Sequence, residues 1–254
     1  MPAAEWGWNI TADELRSWVI DENEELVAVN KPALVVCHPS KHGPWSSLAG
    51  ACREYFGLDR ARLPFRLDRE TSGVVVIAKT APAAARLQGA VWRCRLRKVY
   101  RAILYGHLES PVRVNRPIGP DRGSGFSSRR VVSDDGQPAE TEFIPEVCGG
   151  GYTLARVHPR TGRMHQIRVH AAWLGHPVLG DKLYPDPSLM LDFLKEGFSP
   201  RLAAQLVLRR QALHAGEVVF VTDRGEERFQ APPPADLTRF VTDQMGCRGI
   251  LWPA

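Results

Sequence analysis

The apolar residues of this chain come in short runs bounded by turn formers, with no long continuous stripe. Val74 to Ala78 is too short for a typical helix and is dominated by β-branched residues. That combination predicts a buried strand entered through the turn Thr71-Ser72-Gly73. Comparable runs predict strands at Leu26 to Asn30, Leu34 to Cys37, Lys98 to Leu104, Glu140 to Glu146, Tyr152 to Val157 and Glu217 to Val221. Helical spacing predicts helices at Ser46 to Phe56, at Pro82 to Trp92 with Thr80 as cap, across Ser188 to Leu208, and at Leu237 to Met245. A further helix is expected from about Arg163 to Leu174, with Thr161 as N-cap and Gly175 as stop. On it Met164, Ile167, Ala171 and Leu174 share one face, with Arg168 at the edge of that stripe. Arg113 to Arg130, broken by Gly119-Pro120, Gly123 and Gly125, reads as an extended loop able to fold over a ligand.

Two places in this pattern carry chemistry. Asp68 stands between Arg66 and Arg69 immediately before the Val74 strand. It therefore sits on a loop anchored to a sheet, where flanking guanidinium groups favour the carboxylate form. Such a group suits nucleophilic or electrostatic work better than proton donation, although a solvated charged loop is the ordinary alternative. Arg168, at the edge of an apolar helix face, must snorkel to water or meet an anion. Asp68 is the candidate partner.

Together these stretches resemble the pseudouridine synthases of the RluA type. Four blocks carry the resemblance: Asn30-Lys31-Pro32 with Val36-Cys37-His38-Pro39; Arg66-Leu67-Asp68 with Thr71-Ser72-Gly73; Lys98-Val99-Tyr100-Arg101; and Thr161-Gly162-Arg163 with His165-Gln166-Ile167-Arg168-Val169-His170. Gly175-His176-Pro177, Gly180-Asp181 and Arg210 to Ala215 extend it over nearly all of residues 25 to 232. The resemblance implies an α+β pseudouridine-synthase fold, a mixed and largely antiparallel sheet flanked by helices with a central cleft. It implies isomerisation of a uridine in RNA, ribosomal or transfer, without a cofactor. By the same resemblance Asp68 acts at C1′, as nucleophile or by assisting a glycal route. Tyr100 contacts the base and is a candidate to help remove the C5 proton, Arg168 pairs with the aspartate, and Arg66 fills the place of the flipped uridine. Ile167 and Lys98 are further candidates for contact with the substrate. One departure stands out, Phe65 where many relatives have histidine, and Met164, in place of a small polar residue, is expected to add core packing.

Extruding a stacked nucleotide costs a few kcal/mol, and a planar cation beside the catalytic loop suits that task. A hydrolase would need a second carboxylate to activate water. Glu70, the nearest, reads as a surface residue. A nucleosidase is therefore disfavoured, and an RNA-binding or folding factor without catalysis is the remaining alternative, with only Phe65 in its support.

Composition and charge narrow the setting. The chain has 254 residues and net charge +5, with 1–30 carrying one basic and seven acidic side chains and 93–130 ten basic and two acidic. The basic stretch is the expected footprint of phosphate contact, with Arg93, Arg95, Arg97 and Arg101 alternating around a strand so that several share a face. Five cysteines without a C-x-x-C pair predict free thiols in a reducing compartment, and the scattered histidines give no metal-site spacing. No apolar run reaches the ~20 residues that span a bilayer. We expect a cytoplasmic monomer that binds RNA without an obligatory protein partner. The expected organisation is an N-terminal extension over 1–24, a catalytic domain over 25–232 and a C-terminal helix or tail over 233–254. The extension is too short for the appended RNA-binding domain, of roughly sixty residues, that many relatives carry.

Overall fold

A computed structural model describes residues 9–38, 42–184 and 186–247. The chain divides into two compact units, 1–98 with 214–234 and 99–213 with 235–251, apart from the extreme C-terminus.

In the first unit, helix α1 (Ala12–Trp18) opens with a reciprocal cap in which Thr11 accepts from the Glu14 amide and Glu14 accepts from the Thr11 amide. Strand β1 (Val19–Glu22) follows and pairs antiparallel with β2 (Leu26–Lys31), which pairs antiparallel with β3 (Ser72–Ala78). Beyond β3 lies β10 (Leu213–Thr222), parallel to it at His214–Ser72 and Ala215–Gly73, and β11 (Gly225–Gln230) pairs antiparallel with β10. Helix α3 (Ala81–Trp92) is capped by Thr80, with Pro82 in its first turn. Its Ala83, Leu87 and Ala90 pack on Val74, Val76 and Ala78 of β3, Leu26 and Ala28 of β2, and Val218 and Phe220 of β10. Every residue of β3 is buried, which is why this strand reads as a continuous apolar run without alternation.

In the second unit the antiparallel order is β4 (Leu96–Tyr105), β9 (Tyr152–Pro159), β8 (Glu140–Gly149) and β5 (Val112–Asn115), with β4 beginning in the last residues of the first unit. Helix α4 (Gln166–Trp173) lies against β8 and β9, and α7 (Ala235–Asp243) sets Phe240 edge-on against Tyr152 at 5.1 Å. The fold is the expected α+β one, with a mixed, largely antiparallel sheet flanked by helices.

Several expectations are corrected. Leu34 to Cys37 is not a strand, because Leu34 takes a left-handed φ of 73°. The Val36 and Cys37 carbonyls instead accept from the Leu48 and Ala49 amides, two orphan donors at the start of α2 (Leu48–Tyr55). Helix α2 starts at Leu48 with Ser47 as cap, after a short 3-10 turn at Pro44–Ser46. Arg113 to Arg130 is not one extended loop: β5 occupies its start, and β6 (Ile118–Pro120) pairs with β7 (Arg130–Val132) because Ile118 buries against Ala139, Val169, Leu183 and Tyr184. The helix expected across Ser188 to Leu208 is two, α5 (Pro187–Glu196) and α6 (Pro200–Leu206), divided where Gly197 takes a φ of 70° and Ser199 caps the second. Helix α4 begins at Gln166 rather than Arg163, with His165 in the N-cap position at φ 56°. Thr161 is not its cap, because its hydroxyl donates to the Gln166 side chain and accepts from the Glu140 amide. Met164 lies ahead of the helix and is 46% exposed, so it adds no core packing.

Candidate active site

The loop that carries Asp68 is fixed from three directions within the first unit. Lys31, fully buried at the end of β2, sends its ammonium to the carbonyls of Pro32 at 2.9 Å, Val35 at 2.8 Å and Arg69 at 3.2 Å. Such a charge is tolerated in the interior only because several oxygens surround it. Arg69 returns the contact, its Nε donating to the Leu34 carbonyl at 3.2 Å. The Thr71 amide closes a turn on the Asp68 carbonyl at 3.1 Å. Behind the turn, Ser72 meets His214 Nδ1 at 3.0 Å, while His214 Nε2 faces the Ala231 carbonyl at 3.2 Å and so carries a proton there. Gly73 completes the frame. At φ 115° a Cβ on this residue would stand 2.2 Å from the Ala215 carbonyl oxygen, so the β3–β10 approach requires glycine.

On this frame Leu67 is buried, Asp68 half-buried and Arg66 exposed. Cys37 lies beneath the loop, and burial pushes its thiol pKa up. Phe65 packs its ring 6.2 Å from that of Phe220, and the Lys98 ammonium stands 5.5 Å from the Phe65 centroid. Lys98 is partly accessible at its surface yet crowded by protein atoms, and desolvation pulls its amine down to about 8.

In the second unit Tyr100 is buried on β4, in register with Val157 of β9. Arg168 forms a two-pronged pair with Asp181, Nε to Oδ2 at 2.6 Å and Nη2 to Oδ1 at 2.9 Å. Asp181 is fully buried and also accepts from the Leu183 amide at 2.9 Å. Burial alone would raise its pKa, but the Arg168 charge and these hydrogen bonds outweigh burial and hold it below the usual carboxylate range. The Arg168 guanidinium also stacks 4.9 Å from the Tyr184 centroid, and the Tyr184 hydroxyl meets His165 Nδ1 at 2.8 Å. Gly180 at φ 72° lets the chain pass the Arg210 carbonyl just before Asp181. Ile167 and Val169 are buried beside Arg168 on α4. Gln166 ties this helix to β8 through the Glu140 carbonyl and the Thr141 hydroxyl, both at 2.9 Å.

The expected basic face around β4 is redistributed. Arg101 is not on an open face: it is buried and paired through Nε with Glu146 at 3.0 Å, which also takes Arg156. Arg97 is exposed and bonded to Glu226, whereas Arg93 and Arg95 are exposed beyond the end of α3. The sequence pattern did not expose Lys31 as the anchor of the Asp68 loop or Asp181 as the carboxylate holding Arg168. Both sit in the motif blocks, and the signal available was a lysine inside an apolar strand and an aspartate after a glycine. Among the described residues no group of side chains is arranged to hold a metal ion, and no helix is long and apolar enough to cross a membrane.

Residues 25–173 match the family model described as RNA pseudouridylate synthase. The chain is 35% identical over 230 residues to the ribosomal large subunit pseudouridine synthase D of Vibrio vulnificus, covering 88% of this chain and 69% of that one. It is 35% identical to an RNA pseudouridine synthase of Bacillus subtilis, YhcT, over 86% of this chain and 69% of that one. Among solved structures, human RNA Pseudouridylate Synthase Domain Containing 1 aligns with TM-score 0.68 and 26% identity over 90% of this chain and 86% of that one. Human RNA Pseudouridylate Synthase Domain Containing 4 shares the fold, with TM-score 0.72 at 24% identity over 92% of this chain and 95% of that one. The chain belongs to the RNA pseudouridine synthase family, in its RluA-type branch, and is an isomerase acting on RNA.

Proposed function

We propose that this enzyme converts a specific uridine of ribosomal RNA to pseudouridine, with transfer RNA as the second candidate pool, and that Asp68 acts at C1′ of the flipped nucleotide. The observation that carries this reading is the anchoring of the Asp68 loop by Lys31, Gly73 and the Ser72–His214 contact, which fixes the position of a half-buried aspartate. Preorganisation of this kind is what a reaction at a sugar carbon demands, since a small misplacement costs large factors in rate. Exposed Arg66, two residues away, has the planar charge suited to filling the place of the extruded base. Tyr100 is assigned to the base and its C5 proton. Arg168, held by Asp181, is assigned to the catalytic set, and Ile167 and Lys98 to substrate contact. The base is retained and rejoined through C5, so one carboxylate suffices and no activated water is required. The ribosomal choice is supported by the large-subunit relative, named for that substrate.

The test is nucleotide-resolution mapping of pseudouridine in unmodified ribosomal and transfer RNA incubated with wild type and Asp68→Ala. A position modified only by wild type supports the assignment and names the substrate. Modification by both proteins would overturn the role of Asp68, and modification confined to transfer RNA would overturn the ribosomal choice.

A further inference from the structure

The first unit contains a half-open cavity of about 710 Å³ of which the proposed function uses only Arg66, at one side. Its lining includes four arginines, Arg53, Arg60, Arg62 and Arg66, of which Arg53 is paired with Glu54, against one carboxylate, Asp59; Cys37, His38 and small or apolar residues such as Ala49, Gly50, Ala61 and Leu63 make up the rest. Arg60, Arg62 and Arg66 form no ion pair among the described residues. The Arg62 backbone is nonetheless fixed, bridging to Ala78 at the end of β3, and its side chain reaches the Arg60 carbonyl at 3.3 Å. Three arginines without an ion pair, beside one carboxylate and several small or apolar side chains, match a nucleotide, with its phosphate on the guanidinium groups and its base or sugar against the apolar lining. The volume falls within the range of ordinary ligand sites, roughly 300–1,000 Å³.

Position supplies the second argument. Arg66 lines the cavity and lies two residues from Asp68, so their α-carbons are at most about 7 Å apart, close to one nucleotide step along an RNA strand. We infer that this cavity receives a nucleotide of the substrate strand next to the target uridine, with its phosphate held by Arg60 and Arg62. The inference rests on the assignment of Asp68 to the target nucleotide, but its test reads binding and crosslinking rather than catalysis. Guanidinium forks suit phosphate, and single-stranded RNA is recognised through such splayed nucleotides.

The experiment compares wild type, Arg60→Gln/Arg62→Gln and, as control, Arg201→Gln on α6 of the second unit, using a fluorescein-labelled mixed-sequence single-stranded RNA between 50 and 200 mM salt. The double variant should bind roughly tenfold more weakly at the low-salt end, with the log–log salt slope reduced by about 0.7 for each phosphate no longer neutralised. The control should match wild type. In parallel, RNA carrying 4-thiouridine is photo-crosslinked to wild type and to Asp68→Asn, and the labelled peptides are mapped. Crosslinks within residues 49 to 66 in both proteins support the site even if no pseudouridine is formed. Unchanged affinity and slope in the double variant, or crosslinks lying wholly outside that segment, would overturn it. Blocking of those crosslinks by free uridine 5′-monophosphate without loss of RNA binding would also overturn it, by making the cavity a mononucleotide site.

Discussion

Arg168 shows how much of a site's cost is hidden in the residue that holds it. Its partner Asp181 is fully buried, and the pair is bidentate at 2.6 and 2.9 Å. Arg168→Ala therefore strands an interior carboxylate, and such breakage typically costs about 3–5 kcal/mol. Urea unfolding should show a loss of that size, while Arg168→Met combined with Asp181→Leu should recover a large part of it without recovering activity. Recovery of activity in the double variant would remove Arg168 from the mechanism. The same pair fixes a pH dependence. The Asp181 pKa is lowered in the folded protein, so its stabilisation is present above the unfolded value, roughly 4, and is lost as pH falls through the lower folded value. His170 adds an earlier step, because burial lowers its pKa and the unfolded chain takes up protons first as pH drops below about 6.5. Thermal melts at pH 7.5 and 5.5 should therefore differ by less in His170→Gln than in wild type.

At the scale of elements, the Asp68 loop is held by its neighbours more than by its own sequence. Lys31→Met would leave the Pro32, Val35 and Arg69 carbonyls short of a buried donor, at about 3 kcal/mol or more. It should also lower kcat by about 10–100-fold with little change in KM for RNA, since the loop is displaced while the RNA surface is not. A fall in the folded fraction, read by circular dichroism at the assay temperature, that matches the fall in kcat would point instead to general unfolding. Gly73→Ala should be worse, because its positive φ and the 2.2 Å approach to Ala215 leave no room for a methyl group. These anchors explain what was readable in advance. Strands β2, β3 and β9 and helix α3 follow local pattern because burial and capping coincide in sequence, as at Thr80 and Pro82. Helix α4 did not, because Gln166 to Ala171 are buried without a polar face and Thr161 spends its hydroxyl on a neighbouring strand and a side chain. The β6–β7 pairing was hidden for a related reason: three-residue strands, one of them containing Gly119 and Pro120, acquire their identity from the cluster around Ile118 and Tyr184, which only tertiary packing assembles. The assignment of Asp68 rests on its immediate chain neighbours Arg66 and Arg69, whereas the partnership of Arg168 with Asp181 spans thirteen residues and a turn.

For the whole molecule, net charge is a poor guide to RNA binding until the internal pairs are removed from it. The chain is basic by +5, and 93–130 is its most basic stretch, yet Arg101 is consumed by Glu146, Arg129 by Asp121 and Arg97 by Glu226. Exposed Arg93 and Arg95 remain as candidates for phosphate from the arginines before β4. Neutralising those two to glutamine should flatten the salt dependence of RNA binding by about 0.7 in log–log slope for each arginine that reaches a single-strand phosphate. Arg97→Gln should change it less, because the gain of a phosphate must compete with Glu226. Arg101→Gln should leave the slope unchanged and lower the melting temperature, since its buried charge is spent on Glu146 and is not presented to solvent. Binding isotherms for the three variants at several salt concentrations, beside thermal melts, separate these outcomes. Equal slope changes for Arg97→Gln and Arg93→Gln/Arg95→Gln would mean that RNA displaces the Glu226 pair and that the whole edge of β4 belongs to the interface.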